Sequence, residues 1–122
     1  MATKAKRMKK KPEVIAKASL NGVRVSARKT RLVMDMIKKL QVEQALSSLE
    51  FDPQKRSRLL KKLLLSAVAN AKEKGVNVDS LWVVGGYVNE GETMSRYKPR
   101  ARGSAGPIRK RSSHVTLEVG FL

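Results

Sequence analysis

The chain has 122 residues, enough for one domain with a modest core. Its 27 Lys and Arg against 10 Asp and Glu give a formal charge of +17, a self-repulsion that a polyanion would relieve, with nucleic acid the first candidate. With no Cys, disulfides and thiolate metal sites are excluded, and no apolar run reaches the roughly eighteen residues needed to span a bilayer. MATKAKRMKKKP, residues 1–12, carries six Lys or Arg and lacks the apolar middle of a secretory signal. It reads as a disordered basic arm ahead of a single domain over residues 13–122.

Val14 to Leu20 alternates roughly and ends at Asn21-Gly22, which predicts a short strand and a turn. Ser26 is a good N-cap, and Leu32, Val33, Met36, Ile37 and Leu40 make one apolar stripe on the helix behind it. VEQALSSLEF adds a shorter helix with Val42, Ala45, Leu46 and Leu49 inward. Asp52-Pro53 reads as an N-cap acid followed by Pro at the first helical position of the strongest helix. Its stripe is Leu59, Leu60, Leu63, Leu64, Ala67, Val68 and Ala71, and Gly75 supplies the stop.

These stripes need a common surface. A small three-stranded antiparallel sheet, from the Val14 strand, Leu81–Glu90 and His114–Phe121, supplies one, with one face on the helices and the other wet. The expected class is therefore α+β: this sheet on about three helices, with a long protruding basic β-hairpin over about residues 88–114. Gly85-Gly86 inside the second strand predicts a bend or a close backbone contact.

Catalysis finds little support. His114 is the only His and sits on the polar face of its strand. Glu90 and Glu92 lack a second acidic cluster, and no glycine-rich nucleotide cradle follows a strand. A non-enzyme with no metal and no cofactor is expected. Two basic features carry more. Arg28, Lys29 and Arg31 open a helix, where the dipole is positive and free N–H groups can join them on phosphate. RYKPRARGSAGPIRKR, residues 96–111, holds seven Lys or Arg and no acid. Arg96, Lys98, Arg100 and Arg102 alternate, which places four cations on one side of a strand. With one aromatic the stretch is no base-stacking platform, so it is expected to track phosphates and read shape, ordered only when bound.

The order of these elements resembles the bacterial-type large ribosomal subunit protein 22 family. SARKTRLV is similar to the start of that family's first helix, LLLSAVANA to its long helix and YVNEG to the lead into its hairpin. KPRARG and IRKRSSHVTLEV resemble its hairpin and closing strand, and the likeness runs from about Ala16 to Val119. It implies a structural protein of the cytoplasmic ribosome, one copy per particle, that binds large-subunit ribosomal RNA and supports assembly. The hairpin is implied to line the nascent-peptide exit tunnel near ribosomal protein four, touching nascent peptide transiently. By position, RNA contacts fall on Arg96, Lys98, Arg100, Arg102, Arg109, Lys110, Arg111 and His114, besides Arg28, Lys29 and Arg31. The tunnel-lining tip falls on Arg102, Gly103, Ser104, Ala105 and Gly106. Ser104, Gly106 and Pro107 stand where the family usually carries an Arg, an acid and another Arg. The rival readings are a stand-alone architectural nucleic-acid binder, for which no apolar wedge is evident, and a secreted membrane-active protein, whose apolar stripes would not be committed to a core.

Overall fold

The computed structural model describes residues 12–122, so the basic arm expected over residues 1–12 lies, Pro12 apart, outside the described residues. The order is β1 (Glu13–Val23), α1 (Ala27–Ile37), α2 (Val42–Phe51), α3 (Lys55–Glu73), β2 (Trp82–Glu90), β3 (Met94–Pro99), β4 (Ala105–Lys110) and β5 (Ser113–Phe121). Short 3-10 turns lie at Val78–Ser80 and Ala101–Gly103. β1, β5 and β2 form one antiparallel sheet with the last strand in its middle, and β3 pairs with β4 in a second, two-stranded sheet. Three helices on a three-stranded sheet is the α+β class expected from the sequence.

The core lies between the helices and one sheet face. Val115, Leu117 and Val119 of β5 sit beside Ala16 and Ala18 of β1 and Val83 and Val88 of β2, all buried. Small residues on β1 let α3 lie close, and its Leu60, Leu63, Leu64, Ala67, Val68 and Ala71 are buried as the periodicity predicts. Two side chains pin this contact: Asn70 Nδ2 donates to the Lys17 carbonyl at 3.1 Å and Lys74 Nζ to that of Ile15 at 2.6 Å. α3 ends where expected, with Gly75 at φ +79°.

Four local expectations need correction. The buried stripe of α1 is Ala27, Thr30, Val33, Met34 and Ile37, whereas Leu32 is 72% exposed and Met36 44%. Thr30 tolerates burial because its hydroxyl donates to the Ser26 carbonyl at 2.7 Å. α3 starts at Lys55 rather than at Pro53: Asp52 closes α2, and its Oδ1 accepts from the Gln54 amide at 3.1 Å in an Asx turn. Asn21-Gly22 does not end β1. It sits at a register irregularity between Leu20 and Val23, and pairing resumes at Val23–Ser113. The outer sheet face is only partly wet, since Thr116 is buried there with its hydroxyl 3.1 Å from that of Ser19.

The glycine pair of β2 does both jobs its sequence suggests. The register shifts between Val83 and Gly85, and Gly86 faces inward opposite Leu117. A Cβ on Gly86 would stand 2.7 Å from the Thr116 carbonyl oxygen and 2.8 Å from Met34 Sδ. The bare backbone thus lets buried Met34 of α1 pack directly on the sheet. Gly86→Ala should destabilise the fold by about 1–3 kcal/mol, because the Thr116 backbone is not free to yield. Gly85→Ala, whose Cβ would meet only Glu118 Oε2 at 3.8 Å, should change stability little. Urea titration of both variants checks the contrast.

Candidate nucleic-acid interface

Helix α1 opens at Ser26, whose side chain makes no capping hydrogen bond, and its first turn holds no acid. Arg28 and Lys29 are exposed. Arg31 is exposed too, but its Nε and Nη2 both donate to the Val88 carbonyl, at 3.1 and 2.9 Å. Of the three cations expected to face phosphate here, one therefore also ties α1 to β2.

The hairpin register sorts its side chains. Met94–Lys110, Arg96–Ile108 and Lys98–Gly106 pair on one face, while Ser95–Arg109, Tyr97–Pro107 and Pro99–Ala105 pair on the other. Arg96, Lys98 and Lys110 thus share a side and Arg109 stands opposite. Arg100 joins the first side by lying over Gly106, where a Cβ would come 2.7 Å from its Nε. Arg102 does not, because β3 ends at Pro99 and Arg102 enters the turn with φ +62°. Four aligned cations become three because the chain reverses one step too early.

At the tip the Arg100 amide donates to the Ser104 carbonyl at 2.7 Å and the Ser104 hydroxyl to that of Ala101 at 2.9 Å. Arg102 and Gly103 both take positive φ between them, and Ala105 opens β4. At the root the Gly91 amide donates to the Ser112 carbonyl at 2.9 Å, and the Ser112 hydroxyl donates to that of Glu92. His114 is half-buried, and its Nδ1 accepts from the Gly22 amide at 2.9 Å. Its expected RNA contact is thereby limited to Nε2, and its first role is to hold the irregularity in β1.

No β3 residue is shielded, and in β4 only Gly106 is partly so. Among the described residues the ion pairs are Lys38–Asp35 at 3.3 Å and Lys61–Glu50 at 3.9 Å, and neither touches the hairpin or the first turn of α1. The basic side chains therefore lack carboxylate partners within these residues.

Two cavities flank the α1 start. One, of about 340 Å³, is lined by Arg28, Glu90, Thr93, Arg111 and Ser112. The other, of about 550 Å³, brings Arg109, Lys110 and Arg111 of the returning arm opposite Lys29 and three cations not singled out from the sequence: Arg24, Lys55 and Arg56. A signal for two of these existed. Lys55 and Arg56 open a helix with no acid in its first turn, as Arg28 and Lys29 do. Arg24 carried no such mark. Among the described residues no helix is long and apolar enough to cross a membrane.

The model of the ribosomal protein L22p/L17e family matches residues 18–120. The chain belongs to that family. It is similar to proteins named large ribosomal subunit protein uL22: 49% identical over 105 residues to those of Lacticaseibacillus casei and Lacticaseibacillus paracasei, covering 85% of this chain and 90% of each of them. To that of Ligilactobacillus salivarius it is 48% identical over 105 residues, 85% of this chain and 91% of the relative. Membership makes the chain a structural, non-enzymatic protein of the large ribosomal subunit. The family match runs from Ala18 within β1 to Gly120 near the end of β5 and so takes in strands of both sheets.

Replacing His114 by Ala should destabilise this family member by about 1 kcal/mol, the net worth of the bond from the Gly22 amide. Urea titration reads the loss, and faster hydrogen exchange at Gly22 should accompany it.

Proposed function

We propose that the chain binds large-subunit ribosomal RNA, supports assembly of the subunit, and lends its hairpin to the wall of the nascent-peptide exit tunnel. Residues 13–122 act as one RNA-binding domain in the cytoplasmic ribosome, one copy per particle, beside neighbours that include ribosomal protein four. The observation that carries this reading is the uncompensated hairpin: β3 and β4 bury almost nothing and carry cations with no ion-pair partner among the described residues. A two-stranded ribbon of this kind is marginal alone, and phosphate supplies both the missing contacts and the missing charge.

In this reading Arg96, Lys98, Arg100 and Lys110 hold phosphates on one face, with Arg109 and Arg111 on the other side or at the root. Arg28 and Lys29 contact RNA from the body, and the turn from Arg102 through Gly106 faces the tunnel, passing nascent peptide transiently. Phosphate contacts fix register without reading sequence.

Binding of the free chain to large-subunit RNA should fall steeply with salt. Neutralising three hairpin phosphate contacts, in R96Q/K98Q/R100Q, should lower the slope of log K against log salt by about 2, at ~0.7 per contact on irregular or single-stranded RNA. In sucrose gradients the wild-type chain should travel with large subunits, and its presence only in the soluble top fractions would overturn the reading. Hydrogen exchange of residues 96–111 should slow on incorporation, and equal high protection in the free chain would contradict ordering by RNA.

A further inference from the structure

Body and hairpin meet across a gap filled by like charge. Arg24, Lys29, Lys55 and Arg56 stand on the body side of the larger groove. Arg109, Lys110 and Arg111 stand on the returning arm, and no Asp or Glu lines the space between. Ser26 and Gln54, the N-caps of α1 and α3, line it as well, and neither makes a side-chain capping bond. Two positive helix ends therefore add to the cations. Arg56 Nη1 donates to Gln54 Oε1 at 3.1 Å, while its Nε is buried without a hydrogen-bond partner.

Packing does not fix the hairpin against this body. β3 and β4 make their substantial contacts only with each other. The bonds at Gly91, Ser112 and His114 tie the root but leave the direction of the arms to other forces. Facing cations with nothing between them push the arm away, whereas an anion between them draws both sides inward.

We propose that this groove receives a short run of backbone phosphates, and that their binding sets the direction in which the hairpin points. The proposal rests on the RNA-binding reading and names the place where binding becomes geometry. Phosphodiester oxygens suit the groove better than an acidic peptide. Their charge sits on the backbone itself, with no flexible side chain to order, and its oxygens accept from guanidinium groups and from free helix N–H groups together.

The chain has no Cys, so a spin-label pair at Ser66→Cys on the exposed side of α3 and Ala105→Cys beside the tip reports the hairpin direction in the full chain. The label-to-label distance distribution should be broad in the free protein and narrow several-fold on adding tripolyphosphate or a large-subunit RNA fragment. K29Q/K55Q should lose the narrowing with tripolyphosphate, since both side chains are exposed and line the groove. K62Q/K72Q, equal in charge lost but on α3 outside the groove, should keep it. An unchanged urea midpoint shows that each variant remains folded. Narrowing retained in K29Q/K55Q overturns the proposal. So does equal loss in K62Q/K72Q, or equal narrowing by an oligoglutamate of matched charge. Wild-type protein that fails to sediment with large subunits overturns the RNA reading and this inference together. Sedimentation with large subunits, combined with narrowing in K29Q/K55Q, overturns the inference alone.

Discussion

Repulsion among cations that form no ion pair among the described residues divides the molecule into a part that buries a core and a part that does not. The two ion pairs among the described residues, Lys38–Asp35 and Lys61–Glu50, lie on the helices. The hairpin and the first turns of α1 and α3 are basic without relief. Each cation at an exposed helix start costs about 0.3–1 kcal/mol. Each fully buried Leu, Ile or Val returns roughly 1.5–3 kcal/mol, and Ile37, Leu49, Leu60, Leu64, Leu81 and Leu117 are all fully buried. The core therefore outweighs the misplaced charge, and the charge is free to serve a partner.

How far the sequence revealed this depends on the element. α3 was legible because its apolar stripe repeats from Leu60 to Ala71 along one face of a nineteen-residue helix. α1 was not fully so. Its apolar residues allow two faces a step apart on the helix, and the choice rests on a polar residue, Thr30, that satisfies its hydroxyl within its own turn. The start of α3 departs from its sequence pattern because Asp52 can cap a helix or close an Asx turn, and both look alike in one dimension. The place of β5 between β1 and β2 follows from pairing across the chain, which no local pattern states.

The candidate interface divides in the same way. Arg96, Lys98 and Arg100 were legible by alternation, and the match to the ribosomal protein L22p/L17e family takes in the whole hairpin. Arg102, named with them, leaves their side because alternation holds only while the strand does, and its positive φ marks where the strand has ended. The groove at the hairpin root was invisible. Arg24, Lys55 and Arg109 come from three distant stretches, and only the sheet and the helix starts bring them to one gap. For His114 the polar strand face and the family resemblance point to RNA, and the structure adds that its Nδ1 accepts from the Gly22 amide, a bond no sequence pattern announces.

The central position of β5 has a mechanical consequence. The hairpin joins the body through β2 and β5, and β4 runs into β5 after only Arg111 and Ser112. β5 is bonded along its length to β1 on one side and to β2 on the other. β2 and β5 enter the hairpin together, so a pull on it along these strands draws both the same way and loads the β1–β5 ladder in shear, with many hydrogen bonds strained at once. A ribbon that buries almost nothing of itself is thus rooted in the central strand of the sheet, the one held by hydrogen bonds along both of its edges.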